Sequence, residues 1–301
     1  PMDKTEKTSP EEKVPFKKDG VAYTFDPVAE VDAFEAEAAA RLIGTRFRLE
    51  PHVLAMFADE PFYCYISRHV RKVPTDKIPT AGVTIVRDQM TMFYSQLLLS
   101  HLSDAENRFI IKHELWHLIN QHLTSRRQGN AVLWNIATDL AINSLISNDA
   151  KTHAPEWVLM PGKRGKPMDM PWLRPGDPNQ GKAEEKKGRS LTDVIEGLPP
   201  KMASEWYYSK IIEEAKKENA GQPGEAGASG DFWGDANSWD DHDIWDNADP
   251  AQQEYYEGKV KDILRRATRH ADATNQWGSI PAEMREHIRR LVSNEVDWRK
   301  V

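Results

Sequence analysis

The chain has a single cysteine, Cys64, among 301 residues. One cysteine cannot form an intramolecular disulfide, which excludes a disulfide-rich scaffold and favours a reducing compartment. Basic residues are not in excess either: the formal net charge of −7 argues against a general nucleic-acid binder, since phosphate backbones are normally bound by a basic surface. No continuous run approaches the ~18–20 apolar residues of a membrane-spanning helix, and the charged N-terminus has no apolar signal-peptide core. We therefore expect a cytoplasmic protein that binds neither nucleic acid nor membrane.

The composition is that of a folded chain, with 39% hydrophobic and 29% charged residues. Shifts in composition along the sequence predict four parts. These are a disordered arm over residues 1–20, a core domain over 21–200, a helix followed by a flexible Gly-rich and acidic, Trp-containing segment over 201–250, and a C-terminal helical part over 251–301 that packs on the core.

Hydrophobic periodicity predicts mainly helices with a few strands. Helices are expected over 26–43, 53–66, about 103–123, about 132–146 and 201–218, with two more helical stretches after Pro250, and strands over 80–86 and 90–94. Ser103 and Glu106 have the spacing of a capping box, which marks the start of the central helix. The fold class that follows is α+β, mostly helical, with a small antiparallel or mixed sheet beside the central helix.

The central helix contains the motif His113-Glu114-Leu115-Trp116-His117. Residues at positions i and i+4 of a helix lie about 40° apart around its axis, so both imidazoles can bind one ion. Glu114 lies beside them, where its carboxylate can accept a proton from a water that the ion polarises and later deliver it to a leaving group. A purely structural site has no need of that carboxylate. The motif therefore predicts a Zn²⁺ site with Glu114 as the catalytic residue.

A catalytic zinc ion usually has three protein ligands. His122 is not the third one if the helix continues, because it would lie about 140° from His117 around the axis. The next helix offers Asn135, Asp139 and Asn143, which form a polar stripe at a spacing of four on an otherwise apolar helix. Buried polar groups need partners, and a metal with its histidine ligands would provide them.

Asp139 is therefore predicted as the third metal ligand, with Asn143 and Asn135 as residues that orient the ligands. The arrangement is similar to that of gluzincins, in which an acidic ligand follows from the next helix. The alternative is that Asp139 caps a helix or forms an ion pair within the core.

A further candidate lies in the acidic segment from Asp231 to Asp249, which contains seven aspartates, several tryptophans and His242. The segment could place His242 near the zinc as a ligand or oxyanion stabiliser, or bind a second cation. It could also lie in the cleft as an inhibitory segment, or form a solvated loop whose tryptophans pack on the domain.

The motif His113–His117, together with the run from Trp134 to Asn143, resembles the metallopeptidase domain that precedes a von Willebrand factor A-like domain in bacterial and phage proteins. Short runs elsewhere also fit, namely Thr80-Ala81-Gly82-Val83, Asp240-Asp241-His242 and Val296-Asp297-Trp298-Arg299. The similarity spans most of residues 25–300.

The resemblance implies a zincin-like fold in which residues 21–200 form the metallopeptidase core. It implies that the strand near Val83 forms a sheet edge along which an extended peptide could lie. It also implies a MoxR-type AAA ATPase as a partner.

Two kinds of function follow. The favoured one is a zinc metallopeptidase, a hydrolase of peptide bonds in which His113, His117 and Asp139 bind Zn²⁺ and Glu114 activates water. The alternative is a zinc-containing binding or scaffold module that acts with an AAA ATPase or with a phage or host partner and turns over no peptide. Hydrolysis of a non-peptide bond, such as deacylation, would use the same residues.

Overall fold

A computed structural model describes residues 14–18, 21–39, 47–75, 77–122, 130–146, 148–163, 191–219 and 250–293. This part of the chain is rich in helices and contains a two-stranded hairpin and a three-stranded mixed sheet, so the α+β prediction is confirmed. Within the same residues, none of the helices has both the length and the apolar character needed to cross a membrane.

The helices follow one another along the chain with few strands between them. They are α1 (Pro27–Ala39), α2 (Glu50–Ala55), α3 (Pro61–Ser67), α4 (Gln96–Leu99), α5 (Asp104–Ile119), α6 (Ala131–Leu145), α7 (Leu191–Glu196), α8 (Ser204–Asn219), α9 (Pro250–Thr274) and α10 (Ala282–Val292). The helix predicted over 53–66 is in fact two short helices, because the chain turns between them and Pro61 starts the second.

The strands are β1 (Val14–Lys18), β2 (Val21–Phe25), β3 (Arg71–Pro74), β4 (Ala81–Val86) and β5 (Gln89–Tyr94). The antiparallel hairpin of β1 and β2 begins inside the segment predicted as a disordered arm. The larger sheet has the order β3-β5-β4, with β3 parallel and β4 antiparallel to β5. Arg87 and Asp88 join β4 to β5 with φ angles of 46° and 61°, as a two-residue hairpin turn requires.

Helix α5 lies in the main hydrophobic core, where it contacts β4, α2, α3, α6 and α9. Its start is fixed by the predicted capping box, in which Ser103 Oγ accepts from the Glu106 amide and Glu106 Oε2 accepts from the Ser103 amide at 2.8 Å. Trp116 is fully buried, and its indole N–H donates to Tyr63 Oη at 2.9 Å. A second, smaller core joins α6, α7 and α8.

An ion pair between Lys112 and Glu60 is buried where α5 meets the residue that precedes α3. Lys112 Nζ also donates to Thr152 Oγ1 and Ser279 Oγ, each at 3.1 Å, and Glu60 Oε2 accepts from the Ser279 amide at 2.9 Å. Gly278 precedes Ser279 with a φ of 62°, and a Cβ there would lie 2.3 Å from Glu60 Oε2. The pair therefore fastens α5 to three separate segments of the chain.

Replacing Lys112 by Met should lower the free energy of unfolding by about 3–5 kcal/mol, because Glu60 would keep a buried charge without its cation. Urea unfolding followed by tryptophan fluorescence measures this. The matched control is Lys210→Met, which removes an exposed pair with Glu213 on α8 and should leave the free energy of unfolding close to that of the wild type, because solvent screens exposed ion pairs. Equal stability of Lys112→Met and the wild type would show that the pair does not hold α5.

Candidate metal centre

Helix α5 brings His113 and His117 together on the face that points towards α6. Both imidazoles are buried, their ring centroids are 4.7 Å apart, and their Nε2 atoms are separated by 3.0 Å. Successive turns of one helix produce this approach, since residues four apart lie one above the other. The two Nε2 atoms therefore face a common point.

Asp139 on α6 completes a group of three possible metal ligands. Its Oδ1 atom lies 3.1 Å from His117 Nε2 and 3.5 Å from His113 Nε2. In a tetrahedral site with bonds of about 2.0–2.1 Å, the ligand atoms are about 3.3 Å from one another. The three edges of this triangle, 3.0, 3.1 and 3.5 Å, are of that size, so the residues fit a small divalent ion.

Asn143 lies one turn after Asp139 and contacts the outer nitrogen of His113. The His113 Nδ1 atom is 2.7 Å from Asn143 Oδ1, and Asn143 Nδ2 donates to the Leu159 carbonyl at 2.9 Å. The contact with Leu159 turns the amide so that its oxygen faces the ring, and His113 Nδ1 must then carry the proton. The lone pair of His113 is left on Nε2, the atom that faces the candidate metal position.

His122 lies close to His117 because α5 ends earlier than its sequence pattern indicates. The helix was expected to reach about residue 123, but it ends at Ile119, and Gln121 takes a left-handed φ of 58° that breaks the helical course. His122 Nδ1 is consequently 3.3 Å from His117 Nδ1. The expectation that His122 lies on the far side of the helix is correct only for a helix that continues.

Glu114 lines a cleft beside the three candidate ligands. The cleft has a volume of about 400 Å³, including the solvent at its mouth. Besides His113, Glu114 and Asp139, its walls are formed by Thr80, Ala81, Phe109, Ile110, Asn143, Trp157, Val158 and Leu159. Most of these walls are apolar, and an apolar surrounding strengthens the electrostatic effect of any charge inside the cleft.

Two further predicted site residues, Asn135 and His242, are not tested by these distances. Asn135 is buried on α6, where its main-chain carbonyl accepts from Thr138 Oγ1, and its contact with the metal ligands stays a prediction. His242 and the acidic segment of residues 231–249 lie outside the described residues. No sequence pattern points to Leu159 or Trp157, because Leu159 acts through its main-chain carbonyl and Trp157 lies in an irregular segment.

Cys64 does not offer a competing nucleophile. Its side chain is buried on α3, where Sγ donates to the Val53 carbonyl at 3.3 Å. Burial raises the pKa of the thiol to about 11, so that the thiolate is scarce at neutral pH. Cys64 is therefore explained by its place in the core and not by a catalytic role.

A family model described as "Putative metallopeptidase domain" matches residues 46–301, and the chain belongs to that family. Neither the curated proteins nor the solved structures give a match. The match covers α5 and α6, which carry the candidate metal centre.

After loading with Zn²⁺ and removal of free ion, the wild-type chain should retain about one zinc per molecule. His113→Ala and His117→Ala should each lose most of it, because two ligands hold the ion far more weakly than three. Elemental mass spectrometry of the dialysed proteins measures the content. His270→Ala, which changes an exposed histidine on α9, is the matched control and should keep its zinc. A wild-type chain that retains no metal would overturn the assignment of the centre.

Proposed function

We propose that this chain is a zinc-dependent metallopeptidase that hydrolyses peptide bonds. The observation that carries the proposal is the triangle formed by His113 Nε2, His117 Nε2 and Asp139 Oδ1, with Glu114 in the cleft that His113 and Asp139 also line. Membership of the metallopeptidase family supports the same activity. Zinc is the proposed metal because two imidazoles and one carboxylate are a ligand set of catalytic zinc sites.

A zinc ion held by these three residues would act as a Lewis acid towards the scissile carbonyl and lower the pKa of a coordinated water. The protein contributes the orientation of the ligands. Asn143 keeps the proton of His113 on Nδ1, so that Nε2 presents its lone pair. Asp139 supplies a negative charge that partly balances the ion.

Glu114 is the proposed general base and general acid. Its carboxylate takes a proton from the attacking water as the oxygen adds to the carbonyl carbon. The same proton then passes to the amide nitrogen as the carbon–nitrogen bond breaks, so a carboxylic acid and an amine leave the cleft. Glu114 is only 1% exposed, and exclusion of bulk water strengthens its effect on the reacting atoms.

The cleft also suggests where the substrate lies. Thr80 and Ala81, at the start of β4, form one of its walls, and β4 is the outer strand of the three-stranded sheet next to α5. We infer that a peptide substrate passes the start of β4 on its way to Glu114. A strand beside the metal-binding helix is also the arrangement of a zincin-like fold, which we propose for this domain.

Replacing Glu114 by Gln should abolish peptide cleavage without removing the zinc. The amide has nearly the same shape but cannot accept the proton, and loss of general acid–base catalysis typically lowers rates by about 10²–10⁴-fold. A proteome-derived peptide library incubated with the zinc-loaded chain, with new termini identified by mass spectrometry, measures cleavage. Metal content is determined on the same samples.

Glu106→Gln is the matched control, because it makes the same change on the same helix and Gln is compatible with a capping box. It should cleave like the wild type. Cleavage by Glu114→Gln at the wild-type rate would refute the role of Glu114. A zinc-loaded wild type that cleaves no peptide would instead favour the scaffold alternative, in which the partnership with an AAA ATPase stays a prediction from the family resemblance.

A further inference from the structure

His122 is completely buried and is held in place from several sides. Its amide donates to the His117 carbonyl at 3.1 Å, which ties His122 to the last turn of α5. The imidazole lies edge-on to His117 at a centroid distance of 5.3 Å and edge-on to Trp134 at 6.0 Å. A buried imidazole fixed in this way has a defined orientation. Its Nδ1 atom faces His117 and its Nε2 atom faces Ser204.

The contact between His117 Nδ1 and His122 Nδ1, at 3.3 Å, determines which atoms carry protons. A hydrogen bond between two imidazole nitrogens requires a proton on one of them only. His117 directs Nε2 towards Asp139 and His113, and a neutral imidazole that binds a metal through Nε2 keeps its proton on Nδ1. His122 Nδ1 must then be the acceptor.

The proton on His122 Nε2, at the other end of the ring, is determined in the same way. If Nδ1 accepts, a neutral His122 carries its proton on Nε2 and donates it outwards. Ser204 Oγ lies 3.5 Å from that nitrogen, at the long end of the hydrogen-bond range, and the Ser204 side chain is also buried. Ser204 is the first residue of α8, which packs on α6. A single direction of donation therefore runs from His117 through His122 to Ser204.

We propose that His122 is a positioning residue that orients the metal ligand His117, with Ser204 holding the far side of the His122 ring. This inference rests on the proposed metal centre. His122 acts on His117 as Asn143 acts on His113, so each candidate histidine ligand has its outer nitrogen bonded to a side chain from outside the motif. Groups of this kind typically change metal affinity by about 10–100-fold.

The test is the affinity for Zn²⁺, measured by competition with a chromophoric chelator. His122→Phe keeps a planar ring but has no nitrogen, and it should bind Zn²⁺ about 10–100-fold more weakly than the wild type. His122→Asn restores an acceptor oxygen at the position of Nδ1 and should recover most of the affinity. Asn143→Leu, which removes the corresponding partner of His113, provides the benchmark for losing one such contact.

Two further readouts separate orientation of the ligand from general stability. The visible spectrum of the Co²⁺-loaded chain reports ligand geometry, and it should change in His122→Phe and return towards the wild type in His122→Asn. Thermal unfolding of the metal-free proteins should show no parallel loss. If His122→Phe does not fold, Ser204→Ala tests the same chain of hydrogen bonds from its other end and should weaken Zn²⁺ binding by a smaller factor.

Several results would overturn the proposal. Wild-type affinity and an unchanged Co²⁺ spectrum in His122→Phe would show that His122 only fills space, as would equal losses in His122→Phe and His122→Asn. A wild-type chain that does not bind Zn²⁺ would remove the metal centre itself. Because that result appears in the wild type and not in the variants, failure of the proposed function is distinguished from failure of the role of His122.

Discussion

The central helix α5 buries polar side chains on two faces, and each of them must find a partner inside the protein. Lys112 points away from the cleft and pairs with Glu60, whereas His113 points towards α6 and contacts Asn143. Neighbouring residues of a helix point about 100° apart. These two consecutive side chains therefore fasten α5 to two different parts of the chain, one at Glu60 and one on α6. Rotation of α5 about its axis would therefore break the contact of Lys112 with Glu60 or that of His113 with Asn143.

This double attachment has a consequence for the candidate metal centre. Two imidazole nitrogens and a carboxylate oxygen lie within 3.5 Å of one another, although they belong to two helices. Side chains outside the group hold the rings of His113 and His117 from behind, so few rotamers remain open to either ring. The candidate ligands are therefore already ordered when the chain has folded. Binding of an ion would cost less conformational entropy than it would with mobile side chains.

Features that depend on local spacing could be predicted from the sequence. The capping box at Ser103 follows from the spacing of residues at a helix start. The pairing of His113 with His117 and the polar stripe that contains Asp139 follow from the helical period. Strand β3 could not be predicted in this way. Its four residues, Arg71–Pro74, include two charges and a proline, and its parallel pairing with β5 joins residues 20 positions apart in the sequence. The residues of β3 are not typical of a strand, so its pairing with β5 could not be read from local composition.

The surroundings of the candidate metal ligands were harder to predict for a related reason. Helical periodicity gives the direction of His122 only while α5 continues, and the helix ends three residues earlier. The end of α5 depends on a left-handed conformation at Gln121. Gly or Asn more often adopts this conformation, so the sequence contains no typical helix-ending residue here. The contact of Asn143 with the Leu159 carbonyl could not be predicted either, since a residue of any type supplies a main-chain carbonyl. Candidate ligands on regular helices can therefore be predicted from the spacing of residues. The groups that contact them from behind depend on where a helix ends and on main-chain atoms, and only the packing of the folded chain determines these.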